Sequence, residues 1–180
     1  AFIAASWVSG LNVSRVSARL NTFVEKRQLD DDFNVIAEME NGATAVITAT
    51  QIATGYKNDN GFRIYGEKGS IEWQQERAEK LNVFRGEVDE TYWIGANYSY
   101  FPDILGPYLR GVPAGHHEDF FEALGNLHLS MEFMIRRGLG EQNVPEPFDH
   151  PGVIEGVNGM RFVQAAVESS KQDGVWTAIA

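Results

Sequence analysis

Residues 62–73 read Phe-Arg-Ile-Tyr-Gly-Glu-Lys-Gly-Ser-Ile-Glu-Trp, two alternating stretches on either side of Gly66-Glu67-Lys68-Gly69. Alternation of period two sends successive side chains to opposite faces of a strand. The two glycines can supply the φ > 0 positions that tight hairpin turns require. The run predicts a β-hairpin. Nowhere does a Gly-x-Gly-x-x-Gly turn link a strand to a helix, so the sequence lacks the phosphate-cradling unit of a dinucleotide-binding domain.

The first half of the chain continues in the same style. Residues 12–24 alternate, with Val16, Ala18, Leu20 and Val24 on one side and Arg15, Ser17, Arg19 and Asn21 on the other. Asp30-Asp31-Asp32 follows and reads as a solvated turn that ends the strand. Residues 33–39 form a second strand, Asn41-Gly42 is a strong hairpin signal, and residues 44–52 return as a third strand rich in Thr, Val and Ile. Two further strands are expected at residues 80–85 and 90–94. Such spacing suits an antiparallel sheet. Residues 97–114, aromatic and punctuated by proline, read as a structured loop.

The character then changes. Over residues 116–137, Phe120, Leu124, Leu127, Met131 and Met134 recur at steps of four and three, the mark of an amphipathic helix ended by Gly138 and Gly140. Asp149 is the expected N-cap of a second helix with Pro151 in its first turn, and Val153, Val157, Met160, Val163 and Val167 its expected buried stripe. Residues 174–177 supply a final edge strand. Strands first and helices later predict one α+β domain over residues 1–180, a large open and predominantly antiparallel sheet with helices packed on one face. Thr44 to Ile52 is small or weakly polar on both sides, which points to self-association through the open face.

A chain of 180 residues is long enough for one sizeable core. Its net charge of -10 argues against a nucleic-acid partner and against anionic membrane surfaces, and no apolar run approaches the roughly 20 residues that span a bilayer. The absence of cysteine excludes thiol catalysis, disulfides and thiolate-bound zinc, and fits a cytoplasmic protein. Residues 1–9 read as a helix already in progress, with Ile3 and Trp7 four apart and Gly10 closing it, yet no N-cap precedes them. The expectation is that residues 1–10 are the remnant of a helix continuing from a preceding part.

His116-His117-Glu118-Asp119 is the densest cluster of functional side chains. On a helix, adjacent residues diverge by about 100°, so His116 and His117 do not converge on one metal ion, and no metal site is expected. Glu118 and Asp119 suit the positive end of a helix dipole, while a histidine can exchange a hydrogen bond with a sugar hydroxyl. No serine lies in a Gly-x-Ser-x-Gly elbow, and no Ser–His–acid grouping follows from spacing. Trp73, Trp93 and Tyr92 have rings that could stack on a sugar, although strand aromatics are usually core or cross-strand pairs.

Four motifs in order resemble the Gfo/Idh/MocA oxidoreductases. They are Leu29-Asp30-Asp31-Asp32-Phe33 with Met39-Glu40-Asn41-Gly42-Ala43, the hairpin at residues 62–73, Pro113-Ala114-Gly115-His116-His117-Glu118-Asp119-Phe120, and Val153-Ile154-Glu155-Gly156-Val157 with Ser169-Ser170 and Gly174-Val175-Trp176. The resemblance implies the substrate-binding and oligomerisation domain of an enzyme that moves a hydride between NAD or NADP and a sugar, cyclitol or related polyol. That family's Glu-Lys-Pro motif and helix-borne Asp/His pair are absent here, so the resemblance assigns no catalytic residue to this chain and no cofactor to the chain alone. His116 is the residue it places on the substrate side, with Glu118 and Asn126 behind it. A free-standing sugar-binding or assembly module without redox chemistry is the alternative reading.

Overall fold

The computed structural model describes residues 1–95, 106–113 and 115–179. In chain order its elements are α1 (Phe2–Ser9), β1 (Val13–Asn21), β2 (Asp32–Met39), β3 (Thr44–Thr50), β4 (Gly61–Gly66), β5 (Gly69–Gln74), β6 (Lys80–Arg85), β7 (Val88–Trp93), α2 (Phe120–Gly138), α3 (Val153–Lys171) and β8 (Thr177–Ala178). Short 3-10 turns occupy Gln75–Arg77 and Gly106–Tyr108. Most of the loop expected over residues 97–114 lies outside the described residues. The protein is α+β with antiparallel strands. Its strands are hydrogen-bonded in two sets of four, β3-β2-β1-β8 and β4-β5-β6-β7, rather than in one continuous ladder. The chain groups into two compact units, Ala1–Lys57 with Pro151–Ala180, and Asn58–His150.

In the first unit the alternation of β1 and β2 builds the core directly. Val16 faces Ala37, Ala18 faces Val35, and across the next ladder Val35 faces Ile47. All five are buried, and Val16 and Ala37 are wholly so. The turn between β2 and β3 is the Asn-Gly hairpin: the Ala43 N–H bonds the Asn41 side chain at 3.0 Å, and the Gly42 N–H donates to Met39 O at 2.9 Å. Helix α3 lies on this inner face, with α1 against α3. The outward face carries Arg15, Arg19, Asn34, Glu38 and Thr48, with Ile36 and Val46 paired across β2 and β3.

The phase of α3 differs from the sequence expectation. Phe162, Ala165, Ala166 and Ser169 are buried, whereas Val153, Val157, Met160 and Val163 are exposed and Val167 is half-buried. Small side chains let the helix approach the sheet closely enough for Ser169 to act on the backbone. Its Oγ accepts the Ala18 N–H at 2.9 Å and donates to Val175 O at 2.7 Å. The helix also starts later than expected, with Gly152 rather than Asp149 at the N-cap, because the Gly152 N–H is held by the Glu155 carboxylate at 2.7 Å.

The acidic run is not a solvated turn throughout. Asp31 is buried, and its carboxylate accepts the Phe23 and Val24 N–H groups, each at 2.9 Å, and an Arg27 N–H at 3.4 Å. Those hydrogen bonds, the Phe23 N–H foremost, hold the carboxyl below its usual range despite burial. A depressed native pKa stabilises the fold fully above the unfolded-state value of about 3.9, and that stabilisation is lost as pH falls through the native value. Asp31→Asn should therefore lower thermal stability at pH 7 and flatten its pH dependence below about pH 4. Parallel melting curves of the two proteins across that range would check this; identical slopes would contradict it.

In the second unit the expected hairpin forms. Phe62 pairs with Trp73 and Ile64 with Ile71, with Gly66 opposite Gly69 at the turn. Only Gly69 of the two glycines has a positive φ, of 150°. Trp73 stacks on Phe62 with ring centroids 5.8 Å apart, and its Nε1–H donates to Ala78 O at 3.0 Å, so it is a cross-strand core residue. β7 begins two residues before its expected start. Helix α2 begins at Phe120, four residues after its expected start, and the Asp119 N–H is tied to the Glu122 carboxylate at 3.0 Å. Its apolar stripe of Phe120, Leu124, Leu127, Met131 and Met134 is exposed.

Candidate functional site

The segment leading into α2 is held by the three residues singled out in the sequence. The Glu118 carboxylate accepts three successive backbone N–H groups, from Arg110 at 2.7 Å, Gly111 at 2.9 Å and Val112 at 3.3 Å. Consecutive N–H groups converging on one carboxylate form an anion nest, and the φ of 76° at Gly111 gives the backbone its turn. Glu118 thus acts as an internal ligand of its own loop. Asn126, about two turns into α2, donates from Nδ2 to Tyr108 O at 2.9 Å. Its Oδ1 is buried without a hydrogen-bond partner.

His116 closes the same loop from the other end. Its Nδ1 lies 3.2 Å from Pro113 O, and a carbonyl only accepts, so the ring proton sits on Nδ1 in this contact. That leaves Nε2 of the exposed imidazole as an acceptor facing outward from the loop backbone. All three residues therefore engage the backbone of residues 108–113. His116 keeps an exposed acceptor, Nε2, which suits a hydroxyl donor, whereas the Asn126 Oδ1 is closed off inside the loop.

The other histidines have separate duties. His117 Nδ1 approaches Glu79 at 3.7 Å, and His128 Nδ1 contacts Leu124 O at 2.9 Å within α2. His150 meets buried Ser130 at 3.1 Å, and both reach Phe148 O, at 2.6 and 3.1 Å respectively. This Ser–His pair was not legible in the sequence, since 20 residues separate its members. With Ser130 only 1% exposed, it pins the connector after α2 and offers no accessible nucleophile. Among the described residues no three His, Cys, Asp or Glu side chains gather closely enough to hold a metal ion. No helix among them is long and apolar enough to cross a membrane.

A dinucleotide is bound where a parallel β-strand turns through glycines into a helix. Every strand pair among the described residues is antiparallel, so they do not fit the pyrophosphate of NAD or NADP.

Residues 1–72 match the GFO/IDH/MocA C-terminal domain. An oxidoreductase from Sinorhizobium meliloti superposes with a TM-score of 0.84 and 31% identity, over 98% of this chain and 49% of that one. The uncharacterized oxidoreductase YfiI of Bacillus subtilis (strain 168) is 28% identical over 158 residues, 86% of this chain and 39% of that protein. An inositol dehydrogenase homolog from Azotobacter vinelandii, complexed with NAD+, superposes at a TM-score of 0.77 with 25% identity, over 97% of this chain and 45% of that one. By these matches the chain is similar to the C-terminal domain of the Gfo/Idh/MocA oxidoreductases. It spans less than half the length of each of these relatives.

Proposed function

We propose that this chain is the substrate-binding and oligomerising domain of a cytoplasmic NAD(P)-dependent oxidoreductase acting on a sugar, cyclitol or related polyol, and that residues 1–180 work as one C-terminal domain. The observation that carries the reading is the match to the Sinorhizobium oxidoreductase, which follows 98% of this chain at 31% identity. The NAD+ complex of the inositol dehydrogenase homolog supports the cofactor and the substrate class. In this reading His116 Nε2 receives a substrate hydroxyl, while Glu118 and Asn126 behind it keep the loop in place. The cofactor comes from the remainder of the parent enzyme.

The exposed stripe of α3 supports the same reading. Val153, Gly156, Val157, Met160, Arg161 and Gln164 line an open, mainly apolar groove of about 650 Å3. The remainder of a parent twice as long is the natural cover for it, because apolar surface of this kind is stabilised by burial. Ile36 and Val46, 47% and 72% exposed on the outward face of the first sheet, are the apolar centre of the self-association surface.

Two measurements test these assignments. Titrating NADH into the 180-residue chain should give no saturable binding; micromolar binding would overturn the division of labour. Light scattering over a hundredfold range of concentration should show a dimer or larger species, and a monomer at every concentration would remove the oligomerising role.

A further inference from the structure

One face of the second sheet carries a polar cleft of about 430 Å3, within the size range of small-molecule sites. Cross-strand register places its walls. Glu72, Asn82 and Thr91 form one row across β5, β6 and β7, and Lys80 and Trp93 form the next. Arg77, from the 3-10 turn, also lines the cleft.

Its charge differs from that of the chain as a whole. The net charge is -10, yet the acids near this cleft are already engaged. Glu72 pairs with Arg63 at 2.8 Å, Glu76 accepts the Asp59 N–H at 2.8 Å, and Glu79 faces His117 at 3.7 Å. Arg77 and Lys80 have no carboxylate partner among the described residues. The Lys80 ammonium lies 4.3 Å from the Trp93 ring centroid. Asn82 Oδ1 accepts the Thr91 hydroxyl at 3.0 Å, which leaves the Asn82 amide as a donor and the Thr91 oxygen as an acceptor.

Two cations without a carboxylate, an amide donor, a hydroxyl acceptor and an indole wall are the complement of a ring that bears hydroxyls and one negative charge. The geometry points to a binding site for a carboxylated monosaccharide, its carboxylate between Arg77 and Lys80, its hydroxyls on Asn82 and Thr91, and Trp93 beside Lys80 at its edge. This site is independent of the loop at residues 108–118 and of the cofactor assignment.

The test is an NMR titration of the full chain, read at the indole N–H of Trp93, with galacturonate as probe. Galactose supplies the ring without the charge, and acetate the charge without the ring. Galacturonate should bind saturably and about tenfold more tightly than either control, the equivalent of one good charge-assisted contact. Arg77→Gln and Lys80→Gln should each remove that preference while the indole signals of Trp7, Trp73 and Trp176 keep their positions. Equal response to galacturonate and galactose, no response at all, or a shift that follows protein concentration instead of sugar would overturn the site.

Discussion

Phe162→Ala is expected to destabilise the first unit by about 3–5 kcal/mol, the range for truncating a buried aromatic side chain. Phe162 is 3% exposed at the centre of α3. Its ring stacks on Phe2 of α1 at 4.4 Å and tilts against Phe33 of β2 at 6.0 Å. Three elements from distant parts of the sequence meet on this one ring, and its neighbours Ala165 and Ala166 are too small to fill the space left behind. Denaturant unfolding monitored by far-ultraviolet circular dichroism would measure the loss. A change under about 1 kcal/mol would mean that α3 is not seated on the sheet as described. Met160→Ala on the exposed stripe of the same helix is the matched control, and its effect on this chain should lie within about 0.5 kcal/mol.

The second large effect is expected at the opening hairpin. A Cβ on residue 69 would lie 2.3 Å from Phe84 O, a backbone atom of the neighbouring strand. It would also impose a side chain on a backbone with φ of 150°. The clash cannot be relieved by a rotamer, because the oxygen belongs to β6, where Phe84 is paired with Ser70. Gly69→Ala should therefore cost about 3 kcal/mol or more and loosen the ladder between β5 and β6. Gly86 separates the two penalties, since its φ is 63° but a Cβ there would meet nothing within 4 Å. Gly86→Ala should cost only the left-handed backbone term of about 1–2 kcal/mol. Hydrogen exchange of the amides in residues 69–85 would distinguish the outcomes; equal protection in the two variants would contradict the close approach.

The strands were legible in the sequence because one-sided burial writes itself as alternation, and Val16, Ala18, Val35, Ala37 and Ile47 show it directly. Helix phase was harder to read. α3 has an apolar stripe of large residues and a second face of Ala165, Ala166 and Ser169, and periodicity favours the larger side chains. Close approach to a sheet selects the smaller ones instead, and hydrogen bonds from Ser169 fix the choice. The buried Asp31 was hidden for a related reason. Three aspartates in a row read alike, and only the fold determines which one turns inward to collect the N–H groups of Phe23 and Val24.

The candidate site divides in the same way. His116, Glu118 and Asn126 could be picked out from the cluster and the resemblance, but the role of Glu118 could not. Its three N–H partners lie six to eight residues upstream, in a loop whose path no local periodicity encodes. The pairing of Ser130 with His150 was invisible for want of any spacing rule that links a helix to the connector beyond it.

The proposed role places this domain in a longer oxidoreductase. The most direct test is the intact mass of the endogenous protein in its source cells, measured after capture with an antibody raised against this chain. A species at least roughly twice 20.1 kDa is expected, by analogy with relatives of which this chain covers 49% or less. A species at 20.1 kDa would contradict it and make the chain a self-sufficient module.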